Sequence, residues 1–294
     1  MDTNRSVSVK YWGTRGSIPT PGPSTARYGG NTSCVEVRAG EERIVLDAGT
    51  GILGLGEKLV AEGTSKEIFL FLSHLHWDHI QGLPYFPPAY EEDFQIHIIG
   101  PPQVDTPLDS VLRSQMGPVH FPLPFEALSA EISFHHLTEG SWERANVEVQ
   151  SKRVRHASFT VGYRVEAFGR SIVFIPDNEL LGGEYEIPTG WMDEIIEFVA
   201  GADVLIHDAM FTEEEYQELE GWGHSTFSQA LELAEEAGVG RLHFFHHSPK
   251  RADQELDRIV HAFRNELGGR KVEMEIEAAT EGATHTLSVD SDSA

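Results

Sequence analysis

The chain of 294 residues has little cysteine, and its single thiol is Cys34. One thiol cannot form an intrachain disulfide, and it cannot build a zinc cage of several thiolates. The N-terminal residues have no apolar signal core, and no stretch of the sequence reaches the apolar length of a membrane span. These absences predict a cytoplasmic protein without a membrane partner.

Basic residues are also scarce. The chain has 22 lysines and arginines against 47 acidic residues, for a formal net charge of −25. A surface this acidic repels polyphosphate, so a long nucleic acid is a disfavoured partner. A small phosphate ester held by metal ions and a few arginines stays compatible with this charge. We expect most of the acidic excess to serve solubility.

The content of hydrophobic residues, 40%, is sufficient for a sizeable core. Strand-like segments dominate the first half, and helices alternate with strands later in the chain. There is no internal repeat and no linker. We therefore predict one domain over residues 1–287, with sheets in the middle and helices outside, followed by a polar acidic tail at 288–294.

Histidine is abundant, with 15 residues, and the densest group lies in the stretch Ser-His-Leu-His-Trp-Asp-His at positions 73–79. This stretch follows an apolar run at 68–72 that predicts a buried strand. Imidazole nitrogens and carboxylate oxygens are ligands that suit zinc and neighbouring divalent metals. Because the strand fixes the first residues and the following turn redirects the next ones, one segment could supply two adjacent metals.

Other predicted strands also end on residues that can bind metals. The residues at these strand ends are Asp47, Asp177, the pair His207-Asp208, and His246, and His156 precedes a further strand. In open α/β layers, sites collect at the carboxyl ends of strands. His247 follows His246 directly, so either histidine could be the ligand at that strand end.

A loop rich in glycine and proline at 13–23 extends through positions 27–31 and cannot be a helix or a central strand. It contains Arg15, Arg27 and Asn31. The loop is either a plain connection or the lining of a pocket in which Arg15 or Arg27 faces an anion. These three residues are the candidates for substrate binding.

The combined set of these residues resembles the metallo-β-lactamase superfamily. The set consists of the motif at 74–79 with Asp47, His156, Asp177 and His246. The resemblance covers roughly Val7 to Leu287. It implies an α/β fold, an αββα sandwich of two mixed β-sheets flanked by helices, with a two-metal site at one edge.

The resemblance also implies a ligand set. Carried over residue by residue, it comprises His74, His76 and His156 for the first metal, Asp78, His79 and His246 for the second, and Asp177 as the bridge between both. Asp47 would orient a ligand histidine. Two divalent ions per chain are implied, with zinc expected, although manganese or iron also accept such donors.

Several details are similar to the phosphodiesterase branch of that superfamily, which includes tRNA 3′-end endonucleases and bacterial cyclic phosphodiesterases. His156 is followed by Gly-Tyr-Arg at 162–164, and His224 by Ser-Thr before a helix. His207-Asp208-Ala209 is close to the branch's His-Glu-Ala, with Asp for Glu. The resemblance implies that Asp78 and His224 are catalytic, with Asp208 positioning His224. His224 could instead serve only the start of the helix, and we expect His207 and Trp77 to be structural.

The resemblance implies a phosphodiesterase in which hydroxide generated by the metals attacks a small cyclic nucleotide or sugar phosphodiester. The alternatives are a tRNA 3′-end endonuclease, and a thioesterase or other hydrolase of the same fold. The sequence has no long basic insertion resembling a flexible tRNA-binding arm, which favours the small substrate. A homodimer is suggested by family habit alone.

Overall fold

A computed structural model describes residues 5–63, 66–103, 106–270 and 272–289. The strands of the described residues are β1 Val7–Gly13, β2 Cys34–Ala39, β3 Glu42–Leu46, β4 Glu67–Phe71, β5 Gln95–Gly100, β6 Glu131–His136, β7 Gly140–Arg144, β8 Val147–Arg153, β9 Val161–Ala167, β10 Arg170–Ile175, β11 Val204–Asp208, β12 Arg241–Phe245, β13 Glu275–Ala278 and β14 Thr284–Leu287. The α-helices are α1 Ile52–Glu62, α2 Trp77–Ile80, α3 Leu108–Gln115, α4 Trp191–Val199, α5 Glu213–Leu219, α6 Phe227–Glu236 and α7 Asp253–Arg270.

The strands form two seven-stranded sheets. Their orders are β14-β1-β2-β3-β4-β5-β6 and β13-β12-β11-β10-β9-β8-β7. In the first sheet the pairs from β14 to β3 are antiparallel and those from β3 to β6 are parallel. In the second sheet the pairs from β7 to β10 are antiparallel and those from β10 to β13 are parallel. Both sheets are therefore mixed, as predicted.

Three apolar clusters hold the layers together. One lies between the sheets and includes Tyr11, Phe71 and Phe174. Another joins the second sheet to α4, α6 and α7, and a third joins the first sheet to α1 and α3. Each sheet thus buries both faces, one against the other sheet and one against helices. This arrangement confirms the predicted αββα sandwich.

Four elements differ from what the sequence patterns indicate. The apolar residues at 272–276 predict a final strand, but the strand begins later, at Glu275, and a further strand, β14, follows it and pairs with β1. Strand β7 was not predicted because no side chain in it is fully buried. Helix α5 buries no residue at all, and a capping box between Thr212 and Glu215 starts it.

The predicted division into a domain and a tail stays a prediction, since residues 290–294 of the tail lie outside the described residues. Among the helices of the described ranges, none combines the length and the apolar character that crossing a membrane requires.

The parallel strands bring their carboxyl ends together. Strands β3 and β4 of the first sheet end at Leu46 and Phe71, and strands β10, β11 and β12 of the second end at Ile175, Asp208 and Phe245. Because parallel strands share a direction, the residues after them collect at one edge of the sandwich.

Candidate metal centre

The histidine motif divides between a strand end and a short helix. His76 lies in extended conformation at φ −66° and ψ 153°, directly before helix α2. His74 therefore belongs to the segment leaving β4, whereas Asp78 and His79 lie on α2. This change of direction lets the ligands within six consecutive residues face two neighbouring metal positions.

The first position is surrounded by His74, His76, His156 and Asp177, whose donor atoms all lie within 4.8 Å of one another. His156 Nε2 is 3.1 Å from His76 Nδ1 and 3.6 Å from Asp177 Oδ2. His74 Nε2 is 3.8 Å from the same carboxylate oxygen. Four donors from distant parts of the chain thus converge on one point, and His76 is the most exposed of them.

The second position is surrounded by Asp78, His79 and His246. Asp78 Oδ2 is 3.2 Å from His79 Nε2 and 3.0 Å from His246 Nε2. The same two imidazole nitrogens are 3.1 and 3.2 Å from Asp177 Oδ1. Asp177 therefore directs one carboxylate oxygen to each position, which is the geometry of a bridging ligand.

Several donors of this cluster are buried without a hydrogen-bond partner, as expected of atoms placed for a metal. Among the described residues they include His74 Nε2, His79 Nε2 and Asp177 Oδ1. Leaving such atoms unpaired costs about 1–3 kcal/mol each. Two nearby divalent cations would satisfy these atoms, so the donor set fits the metals that the resemblance implies.

The protonation of the histidines also suits metal binding. Burial lowers the pKa of His74 and His76, and it lowers the pKa of His156 to about 4. Burial would lower the pKa of His79 too, but the carboxylates of Asp78 and Asp177 outweigh burial and raise it. Neutral imidazoles are ready ligands, and at His79 a cation would take the place of the proton.

Asp47 holds His79 in place. It lies directly after β3 in the left-handed backbone region at φ 63°, and it is fully buried. Its carboxylate is 2.7 Å from His79 Nδ1 and accepts hydrogen bonds from Ser33 Oγ and Ser73 N. The contact fixes the ring of His79 so that Nε2 faces the second position.

Gly223 holds His156, a contact that the sequence analysis missed. His156 Nδ1 donates to the Gly223 carbonyl at 2.9 Å. Gly223 has φ +88°, and a Cβ atom there would lie 2.3 Å from His156 Nδ1. A glycine directly before His224 was the only sequence signal for this contact.

The geometry distinguishes His246 from His247. His246 adopts φ 57° directly after β12, and its ring reaches Asp78 and Asp177. His247 Nε2 is instead 2.8 Å from the Ala279 carbonyl. The structure therefore brings His246, and not His247, to the second position.

His224 and Asp208 form a buried pair at the same edge. His224 Nδ1 is 2.8 Å from Asp208 Oδ2, which also accepts from the backbone N–H of Asn178. Burial would lower the pKa of His224, but the Asp208 carboxylate outweighs burial and raises it to about 9. The side chain of His224 lies within 4.8 Å of donors of Asp177 and His246. His224 thus adjoins both metal positions.

His207 lies outside this arrangement. It is fully buried, and its Nδ1 is 2.7 Å from the backbone carbonyl of Asp208. Its Nε2 is 3.2 Å from the side-chain amide of Asn178. Both ring nitrogens thus contact neighbouring protein groups, in keeping with the structural role expected of this histidine.

Arg15 does not face a substrate, so its prediction was wrong. Its side chain is fully buried, and its guanidinium donates to the carbonyls of Gly29, Ser248 and Arg251 at 2.8 to 3.1 Å. The interaction ties the loop after β1 to the segment after β12. A long-range contact of this kind leaves no local pattern in the sequence.

Arg27 and Asn31 lie on the same loop and contact protein carboxylates. Arg27 Nη1 donates to Asp257 at 2.8 Å, and its side chain is 54% exposed. Asn31 Nδ2 donates to Glu281 at 2.7 Å. A role of either residue in substrate binding stays a prediction.

Exposed aromatic side chains flank the ligands in the sequence. Trp77, expected to be a packing residue, is 72% exposed, so that expectation was wrong. It lines a surface pocket of about 600 Å³ together with Leu75, Tyr85 and Phe121. Trp222 is 66% exposed and lies two positions before His224. An apolar aromatic surface thus adjoins residues of the metal centre.

Known proteins share the sequence pattern and the fold of this chain. The sequence profile of the beta-lactamase superfamily domain matches residues 42–247. A Ribonuclease Z of Mycobacterium marinum is 27% identical over 286 residues, which cover 90% of this chain and 94% of that protein. The metallo-beta-lactamase fold protein YhfI of Bacillus subtilis superposes with a TM-score of 0.67 at 18% identity, covering 96% of this chain and all of that one. Human tRNase Z, short form, gives 0.64 at 22% identity and covers 96% and 99%.

Proposed function

The chain belongs to the beta-lactamase superfamily, and on this basis we propose that it is a metal-dependent phosphodiester hydrolase with two divalent ions, zinc by ligand type, at the metal centre. The observation that carries the proposal is the placement of Asp177. Its two carboxylate oxygens face two separate histidine groups, at 3.1 to 3.8 Å.

When bound, divalent ions supply Lewis acidity to phosphate oxygens and lower the pKa of bound water. The first ion would be held by His74, His76, His156 and Asp177. The second ion would be held by Asp78, His79 and His246, together with Asp177. The residues of the chain keep these donors oriented, because buried contacts with the Asp47 carboxylate and the Gly223 carbonyl fix two of the rings.

We assign the proton for the leaving oxygen to His224. Its Nδ1 contacts Asp208, so Nε2 is the nitrogen that can donate to substrate. Asp208 is a positioning residue, because it is fully buried and acts on substrate only through the ring of His224. This role explains why two polar side chains, His224 and Asp208, are buried beside the metal centre.

Two arginines close to the ligands within the described residues already donate to backbone carbonyls, which supports a small substrate. Arg155, next to His156, donates to the carbonyl of Leu180, and Arg15 is buried. A phosphate would therefore be met mainly by the metals and His224. The exposed rings of Trp77 and Trp222 offer flat surfaces on which a nucleobase can stack. We propose a cyclic nucleotide, or a sugar phosphodiester, as the substrate class.

The second candidate is tRNA 3′-end cleavage. It is favoured by a relative named Ribonuclease Z that aligns with nine-tenths of the chain. A net charge of −25 opposes it, because an acidic surface repels a polyanion.

A substrate panel separates these functions. Purified protein reconstituted with zinc or manganese is assayed with a bis-aryl phosphate, 2′,3′- and 3′,5′-cyclic nucleotides, a precursor tRNA and a thioester. We expect hydrolysis of the bis-aryl phosphate and of at least one cyclic nucleotide, and loss of both activities in Asp78→Ala. Higher kcat/KM on precursor tRNA would select the second candidate. Turnover of the thioester alone would overturn the phosphodiesterase assignment.

The cytoplasmic location and the homodimer stay predictions. Size-exclusion chromatography with light scattering would determine the oligomeric state.

A further inference from the structure

A second group of metal-ligating side chains shares no residue with the metal centre. His243 lies on β12, Glu277 on β13 and His285 on β14, and one donor atom of each lies within 4.8 Å of the other two. Strands β13 and β14 are the edge strands of the two different sheets. The group therefore connects the two layers of the sandwich.

His243 occupies a position where an apolar residue would be expected. Alternation along β12 places it on the same face as Phe245, which belongs to the cluster between the sheets. It is 1% exposed. Burying a polar ring here costs free energy unless both nitrogens find partners.

Only one nitrogen of His243 has a hydrogen-bond partner within the described residues. Its Nδ1 forms a short contact with Tyr11 Oη, whereas its buried Nε2 has none. In one tautomer Nε2 is an unpaired donor, and in the other it is an unpaired acceptor. The second tautomer leaves a free lone pair on Nε2, which is what a metal ligand requires.

The spacing of the other two ligands fits a metal ion. His285 Nε2 is 3.7 Å from Glu277 Oε2, and the rings of His243 and His285 are 4.5 Å apart between centroids. Ligand atoms around tetrahedral zinc lie roughly 3.4 Å apart. The side chains of His285 and Glu277 are 19% and 42% exposed, so an ion can enter from solvent. Burial, with the nearby His285, lowers the pKa of His243 to about 3, which keeps its imidazole neutral.

We infer that His243, Glu277 and His285 form a further site for one divalent transition metal, zinc by ligand type, which joins the edges of the two sheets. Two imidazoles and one carboxylate are a known zinc ligand set, with the fourth position left to water. Tyr11 orients the buried ring by accepting from Nδ1–H. The role of this site is to hold β13 against β14, and it is independent of hydrolysis.

The test counts metal at equilibrium. Full-length wild type, His285→Ala, Glu277→Gln and a control, His97→Ala, are stripped with a chelator and dialysed against micromolar free zinc, and zinc per chain is measured by mass spectrometry. His97 is a matched control because it pairs with Glu67 at 3.1 Å but has partners for both ring nitrogens. Both test positions are partly exposed, so these variants are expected to fold.

We expect His285→Ala and Glu277→Gln each to bind one equivalent fewer than wild type, and His97→Ala to match wild type. Zinc should also raise the melting temperature of wild type and of His97→Ala more than that of His285→Ala, because a bound ion stabilises the folded state. Phosphodiester hydrolysis should be unchanged in all three variants. Equal zinc content in wild type and both test variants would overturn the site and leave His243 and Tyr11 as a structural pair.

Discussion

Replacement of Gly223 by alanine tests how precisely the fold must hold His156 at the first metal position. The new Cβ atom would lie 2.3 Å from His156 Nδ1. An ordinary contact needs at least about 3.4 Å, so the ring would have to move by roughly 1 Å. A displacement of this size at a reacting centre costs about 100-fold in rate. We therefore expect Gly223→Ala to lower kcat/KM by about two orders of magnitude and to weaken metal retention.

The control for this variant is Gly221→Ala. Gly221 has φ +85°, close to the +88° of Gly223, but a Cβ atom there would meet nothing within 4 Å. Both variants carry the same left-handed strain of about 1–2 kcal/mol, so both should lose a few degrees of melting temperature. The assay is hydrolysis of a bis-aryl phosphate together with metal content. Equal activity of the two variants would refute the role assigned to the Gly223 contact.

Three further changes address other parts of the centre. Asp47→Ala should weaken metal binding about 10- to 100-fold, because the ring of His79 would no longer be held in place. Metal affinity is measured by competition with a chromophoric chelator. Wild-type affinity in this variant would contradict the role of Asp47. Asp208→Asn should slow hydrolysis of substrates with poor leaving groups by about 100-fold and of substrates with good leaving groups much less, because Asp208 acts through His224. Metal content should be unchanged. An equal loss of rate on both kinds of substrate would argue against proton donation. Trp77→Ala should raise KM for a cyclic nucleotide about tenfold and leave KM for a dialkyl phosphodiester unchanged, because only the nucleotide has a base that can stack on the indole ring. Equal changes in KM for both substrates would exclude Trp77 from substrate binding.

The general position of the centre could be predicted because local patterns determine it. Apolar runs mark the strands β4, β10 and β12, and the polar residue after each run marks the edge at which parallel strands end. The sequence alone therefore indicated that Asp177 and one histidine of the pair at 246–247 would join the motif at 74–79. Their division between two metal positions came from the family resemblance.

What could not be predicted depends on contacts between distant segments or on backbone conformation. The choice between His246 and His247 rests on a left-handed φ of 57° at His246, which no neighbouring residue signals. The burial of Arg15 depends on carbonyls more than 230 positions away. The strand β14 forms by pairing with β1 at the other end of the chain. Patterns within a short window carry no information about such pairs.

The most direct test of the central claim is phosphodiester hydrolysis measured on the same preparation before chelation, after chelation and after return of zinc or manganese. The proposed function predicts turnover of a bis-aryl phosphate that is lost when metal is removed and recovered when metal returns, with Asp177→Asn inactive throughout. Turnover that survives complete removal of metal, or an active Asp177→Asn variant, would contradict a centre in which Asp177 links two metal ions.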